Sequence, residues 1–144
     1  MDKTRSLGLD IGDKRIGVAM GDPDGILASP LTIINRVGDE ELDIKAITDI
    51  IDQHQVKQVI VGLPLSMDGS IGSQAEKVTA FTQRLAQHTE VPVEFRDERL
   101  TTVAAQRLMK TASKKTRQKA RDDAIAAAII LQRYLDEGCR EPLG

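Results

Sequence analysis

Residues 7–22 read LGLDIGDKRIGVAMGD, and this stretch decides the fold. Two apolar segments, 6–10 and 15–20, flank a short turn that contains Gly12. Apolar runs of this length on either side of a glycine-containing turn predict two antiparallel strands. A third predicted strand follows at 28–35. Because the connections are short, the three strands are expected to form an antiparallel meander.

The pattern changes period after the meander. Isoleucines and leucines recur at helical spacing between residues 42 and 51, which predicts an amphipathic helix. The run 58–63 is typical of a buried parallel strand. A helix over 73–88 and a last strand over 92–95 follow. This alternation predicts an α/β fold in which helices flank a mixed five-stranded sheet.

The C-terminal third is expected to be helical. A helix is predicted to start at Thr101 or Thr102, which are good N-cap residues, and a basic segment interrupts it. A final helix is predicted over 122–137, ending at Gly138. The complete order is βββαβαβα with this last helix, and the length of 144 residues suits one domain over 1–144.

The composition limits the kind of chemistry. No apolar run approaches the roughly 20 residues of a membrane span, so no membrane partner is expected and a cytoplasmic location is predicted. The chain has one cysteine, Cys139, and two histidines in polar surroundings, His54 and His88. These cannot form a disulfide or a typical zinc site. Carboxylates, hydroxyls or a bound metal must therefore supply any chemistry.

Three acids are predicted at the ends of elements. Asp10 ends the first strand, Glu98 follows the last strand, and Asp123 lies with Asp122 at the start of the final helix. Ligands of such sheets collect at the carboxyl ends of the parallel strands. Taken singly, each acid has an ordinary interpretation as a turn residue, part of a charged run, or a helix N-terminal acid. Their shared placement predicts a cluster.

Clustered carboxylates favour divalent cations, because their mutual repulsion otherwise raises their pKa values. Mg²⁺ prefers carboxylate oxygens together with water and substrate phosphate. Two such ions can activate water and stabilise the leaving oxygen of a phosphodiester. The acids therefore predict one or two Mg²⁺ or Mn²⁺ ions.

A basic segment precedes the final helix. Although the formal net charge is −2, residues 110–121 contain six cations and no acid. Local potential decides where a polyanion docks, so we interpret the segment as an arm that follows nucleic-acid phosphates; a solvated loop is the alternative. Lys14, Arg15 and Arg99 lie beside the predicted acids and could also contact phosphate. The cations of the segment are Lys110, Lys114, Lys115, Arg117, Lys119 and Arg121.

Four stretches resemble one known family. They are residues 7–22, VIVGLPLSMDGS (59–70), VEFRDERLTTVAA (93–105) and DAIAAAIILQRYLDEG (123–138). In this order and spacing the chain resembles the YqgF family of pre-16S ribosomal RNA nucleases, which are homologues of RuvC-like Holliday junction resolvases. The resemblance implies an RNase H-like fold and a nuclease that processes the 5′ end of precursor 16S rRNA.

The resemblance also assigns the site. It implies that Asp10, Glu98 and Asp123 are the catalytic, metal-binding acids, and its register selects Asp123 over Asp122. Ser66 stands where the family often carries Asn, which alters any substrate contact there.

Other functions stay open on the sequence alone. The same site could cut a DNA four-way junction, which requires a dimer, so the protein could be a monomer or a homodimer. A non-catalytic nucleic-acid-binding protein is a second alternative. An actin-like ATPase is disfavoured because the chain is too short for two lobes.

Overall fold

The computed structural model describes residues 5–64, 72–97 and 117–140, with side chains over 5–64, 72–96 and 123–137. Each described strand lies within two residues of its predicted bounds. The elements are β1 (Arg5–Ile11), β2 (Arg15–Gly21), β3 (Ala28–Asn35), α1 (Glu40–His54), β4 (Val56–Leu63), α2 (Ser73–Gln87), β5 (Val93–Asp97) and α3 (Arg117–Arg140).

The five strands form one mixed sheet in the order β3-β2-β1-β4-β5. β1 pairs antiparallel with β2, and β2 with β3, as the predicted meander requires. β1 pairs parallel with β4, and β4 with β5. The amide of Gly12 donates to the carbonyl of Arg15 at 2.9 Å and closes the turn between β1 and β2. The predicted fold class is confirmed.

The two faces of the sheet carry separate cores. Leu7 and Leu9 of β1 lie in the larger core, which includes apolar residues of α1 and α2. Ala19 and Ile60 face the other way and pack with the apolar side of α3. This alternation follows from the two-residue period of a strand.

Glycines let α3 lie directly on the strands. A Cβ added to Gly8 would lie 2.8 Å from the Cβ of Leu131, and one added to Gly17 would overlap the backbone carbonyl of Asp123. Ala127 on α3 is fully buried. The alanine-rich helix α3 therefore packs closely on the sheet.

The predicted bounds of the final helix are wrong. α3 begins at Arg117, five residues before the predicted start, and continues through Gly138 to Arg140. Its added first turn consists of Arg, Gln, Lys and Ala, which are strong helix formers, whereas one glycine costs only about 1 kcal/mol. The backbone of residues 117–121, including Arg117, Lys119 and Arg121, is therefore helical rather than part of a loop.

The earlier start of α3 changes the position of Asp123 within the helix. The first turn of α3 contains no acid, so Asp123 does not complement the positive end of the helix dipole as expected. The helix predicted at Thr101 or Thr102 lies outside the described residues. The same holds for five predicted site residues: Glu98, Arg99, Lys110, Lys114 and Lys115.

Candidate active site

Asp10 and Asp123 come together through one strand pair and one helix crossing. In the β1–β2 register Asp10 lies opposite Gly17. The backbone of Asp123 rests on Gly17, where no side chain could fit. Packing between α3 and β2 thus places Asp123 beside the carboxyl end of β1, next to Asp10.

The electrostatics of Asp10 show how close the two acids are. Burial, and after it the negative charge of Asp123, raise the pKa of Asp10 from 3.8 to about 6. Burial acts because a charged carboxylate loses its hydration, and the nearby like charge adds to this cost. The described surroundings of Asp10 therefore disfavour its charged form.

Arg15 is a cation that pairs with one of the two acids, Asp123. Its Nε donates to Oδ2 of Asp123 at 2.9 Å, and both side chains are partly buried, at 31% and 29% exposure. We predicted Arg15 as a phosphate contact from its place beside the acidic turn. The contact with Asp123 joins residues 108 positions apart, so no local sequence signal reveals it.

Glu98 lies outside the described residues, but the strand that precedes it is described. β5 ends at Asp97, which lies opposite Leu63 at the end of β4. Because β1, β4 and β5 are parallel, their carboxyl ends lie at the edge of the sheet that also carries Asp10. The described residues hold two of the three predicted acids at this edge and contain no group of three or more metal-ligating side chains.

The donor chemistry of the pair fits a hard divalent cation. Two carboxylates supply the oxygen ligands that Mg²⁺ and Mn²⁺ prefer. The raised pKa of Asp10 means that its negative charge is under-compensated, and a divalent ion would remove that cost. Asp10 and Asp123 are thus the described residues that would hold the metal.

Arg36 braces the turn that carries Lys14 and Arg15. Its backbone amide donates to the carbonyl of Lys14 and its Nη1 to the carbonyl of Gly12, both at 2.9 Å. Its Nε pairs with buried Asp43 at 2.9 Å, and its guanidinium stacks on the ring of Phe81 at 4.9 Å. Sequence reasoning missed Arg36, because its partners come from three separate elements.

A cavity of about 560 Å³ is lined in part by Arg15, the partner of Asp123. Lys14, Arg15, Asn35 and Arg36 contribute to its wall. Lys14 itself is exposed on the turn, as expected for a residue that could reach a phosphate.

Comparison with known proteins identifies the family. Residues 4–137 match the family model described as "RuvX: Holliday junction resolvase". The chain belongs to the RuvX family. Curated relatives agree, and each carries the name "Putative pre-16S rRNA nuclease". The protein of Roseiflexus sp. is 48% identical over 133 residues, which cover 92% of this chain and 94% of the relative.

A second relative extends the match. The protein of Desulforamulus reducens is 42% identical over 137 residues, covering 94% of this chain and 99% of the relative. The family resemblance seen in the four motifs is therefore confirmed over nearly the whole chain.

Solved structures give the fold of this RuvX-family chain. Thermus thermophilus RuvC in complex with a Holliday junction substrate superposes with a TM-score of 0.57 at 14% identity, covering 95% of this chain and 96% of RuvC. The yeast mitochondrial Holliday junction resolvase Ydc2 gives 0.59 at 10% identity, covering 93% of this chain and 78% of Ydc2. The expected RNase H-like fold is confirmed.

Among the described residues, no helix is both long and apolar enough to cross a bilayer.

Proposed function

We propose that this RuvX-family protein is a divalent-metal-dependent nuclease that hydrolyses phosphodiester bonds, as a single domain over residues 1–144. Asp10, Glu98 and Asp123 hold one or two Mg²⁺ or Mn²⁺ ions. The observation that carries the proposal is the convergence of Asp10 and Asp123 at the carboxyl end of β1, where burial, and after it the charge of Asp123, raise the pKa of Asp10. Such a pair is costly for stability and useful for binding metal.

The side chains have separate tasks in this proposal. When bound, the metal supplies Lewis acidity and an activated water. The carboxylates of Asp10, Glu98 and Asp123 hold it at the sheet edge. Arg15 and Lys14 bind phosphate oxygens of the scissile strand, since Arg15 contacts Asp123 and both cations line the same cavity.

The proposed substrate is structured RNA, specifically the 5′ end of precursor 16S rRNA in the cytoplasm. The names of the curated relatives support this choice. Recognition would rest on backbone and shape, because the chain has no Trp, one Tyr and two Phe for base stacking. The proposed phosphate-binding residues beyond the acid cluster are Arg99, Lys114, Lys115, Arg117, Lys119 and Arg121.

A DNA four-way junction is the second candidate substrate. The description of the family model and the RuvC complex with its junction favour it. A resolvase makes paired cuts, so this alternative requires a homodimer with two sites on one face, whereas the RNA nuclease can act as a monomer.

A cleavage assay separates the two substrates. Purified protein is incubated with a precursor 16S rRNA fragment or a DNA four-way junction, each with Mg²⁺, with Mn²⁺ and with EDTA. We expect metal-dependent cleavage of the RNA and little of the junction. Metal-dependent cleavage of the junction alone, by a dimer, would replace the RNA proposal. Absence of cleavage with both substrates would contradict the nuclease proposal.

A further inference from the structure

Arg15 has two possible partners, the carboxylate of Asp123 and a phosphate of the nucleic acid. The structure places its Nε on Oδ2 of Asp123, a predicted metal ligand. The same side chain also lines a cavity together with the cations Lys14 and Arg36, beside which a phosphate could bind. An arginine bound to a carboxylate has most of its positive charge already compensated.

We infer that Arg15 exchanges Asp123 for a nucleic-acid phosphate when metal binds, so that metal binding and nucleic-acid binding strengthen each other. This inference rests on the proposed function. It adds that metal binding at Asp123 releases Arg15 to contact the phosphate. In the metal-free protein, Arg15 compensates Asp123. A divalent cation bound at Asp123 repels the guanidinium of Arg15 and replaces it as the partner of the carboxylate.

The cavity beside Arg15 is suited to receive the released side chain. Its wall contains Lys14, which is exposed, and Arg36, which is held by the turn and by α1. The acids in the wall are each already paired with a cation other than Arg15, so they do not recapture it. These pairs are Asp43 with Arg36 at 2.9 Å, Glu40 with Arg84 at 3.1 Å, and Asp13 with Lys77 at 3.7 Å.

The turn can support such an exchange without unfolding. Gly12 donates to the carbonyl of Arg15, and Arg36 holds the carbonyls of Gly12 and Lys14. The backbone of the turn is thus fixed at three points. Only the side chain of Arg15 has to move, which exposed and partly exposed side chains do readily.

The test measures two affinities in the full-length protein. Mn²⁺ affinity is measured by calorimetry without nucleic acid. The second measurement is the affinity for an RNA hairpin with phosphorothioate linkages, with and without Mn²⁺. A gel checks that the hairpin stays intact. The variants are Arg15→Gln, Arg15→Lys in case the first does not fold, and Lys14→Gln as the adjacent control with the same loss of charge.

Arg15→Gln is expected to bind Mn²⁺ at least about fivefold more tightly, a typical size for coupling between sites. Its hairpin affinity without metal should stay within about twofold of wild type. The gain in hairpin affinity on adding Mn²⁺ should shrink at least about fivefold, because no guanidinium is released to the phosphate. Lys14→Gln should weaken hairpin binding equally with and without Mn²⁺. Arg15→Lys should keep part of the coupling, since Lys retains the charge but loses the planar guanidinium.

Other outcomes would overturn the inference. Unchanged or weaker Mn²⁺ binding by Arg15→Gln would show that Arg15 orients Asp123 instead of competing with the metal. A wild-type protein that binds no Mn²⁺ would overturn the exchange together with the metal site. If the coupling is seen but no substrate is cut, the exchange stands and the nuclease proposal fails.

Discussion

Asp10 is the residue at which stability and function oppose each other. Its carboxylate is partly buried near Asp123, and the cation Arg15 is paired with Asp123. The protein therefore keeps an acid whose pKa is about 6 at the end of β1. Sites that bind metal commonly carry such a cost.

Asp10→Asn should stabilise the metal-free protein in a pH-dependent way. Since folding raises the pKa of Asp10 from 3.8 to about 6, the folded state holds its proton more tightly than the unfolded state. Wild type therefore loses stability relative to the variant as pH rises through this window. Each pKa unit is worth about 1.4 kcal/mol, so the gap should grow to at most about 3 kcal/mol above pH 6.

Urea unfolding in EDTA at pH 4 and at pH 7.5 measures this gap. Asp49→Asn is the matched control, because Asp49 is exposed and pairs with Lys45 on the surface of α1. A difference between wild type and Asp10→Asn that is the same at both pH values would contradict the placement of Asp10.

Sequence alone predicts part of the site at this scale. Asp10 follows from its place after an apolar strand, and the register of the motif selects Asp123. The pairing of Arg15 with Asp123 and the bracing by Arg36 are not predictable, because each depends on where a distant element packs. Arg36 lies in the loop before α1, so the helical spacing of α1 does not link it to Asp43.

At the scale of elements, the crossing of α3 over β2 positions the site. Gly17 admits the backbone of Asp123, and Gly8 admits Leu131 in the same way. A lone glycine inside a strand often marks a close backbone approach, so Gly17 was a signal that the sequence offered. The start of α3 was predicted incorrectly because the acidic pair at 122–123 imitates a helix N-terminus, whereas the preceding basic residues are themselves good helix formers.

Gly17→Ala should separate α3 from β2. The added methyl group would overlap the carbonyl of Asp123, and backbone atoms cannot move aside cheaply. We expect a loss of stability of about 1–3 kcal/mol, as for overpacked cores, and weaker Mn²⁺ binding as Asp123 shifts from Asp10. Urea unfolding and Mn²⁺ calorimetry measure the two effects.

Gly21→Ala is the control on the same strand. A Cβ there would meet Leu135 and the Ser6 carbonyl at 3.5 Å, an ordinary contact distance. Its stability should change by less than about 1 kcal/mol, within the range of mild substitutions, and its Mn²⁺ affinity should not change. Equal effects of the two variants would refute the role assigned to Gly17.

At the scale of the whole molecule, charge is distributed unevenly. The net charge of −2 hides the basic segment 110–121, which leads into α3 and so precedes Asp123 in the chain. If this segment follows the phosphate backbone, nucleic-acid binding must depend steeply on salt.

Replacing both Lys114 and Lys115 by Gln should flatten the salt dependence of hairpin binding. Each lost phosphate contact lowers the slope of log affinity against log salt by roughly 0.7–0.9. We therefore expect the slope to fall by about 1.5 when both lysines are replaced. Fluorescence anisotropy measures the affinity between roughly 50 and 300 mM KCl, a range that includes the physiological ionic strength of about 150 mM. Lys57→Gln, an exposed cation on β4, should leave the slope unchanged. An unchanged slope in the double variant would show that Lys114 and Lys115 do not contact the phosphate backbone.

The most direct test of the acid pair is cleavage by wild type, Asp10→Asn, Asp123→Asn and Asp49→Asn with Mg²⁺ or Mn²⁺, on whichever nucleic acid the wild type cuts. Removing either ligand should lower the rate at least about a hundredfold, because both acids hold the same metal. Asp49→Asn should cut at the wild-type rate. Equal rates for wild type, Asp10→Asn and Asp123→Asn would contradict the proposal that these acids form the catalytic metal site.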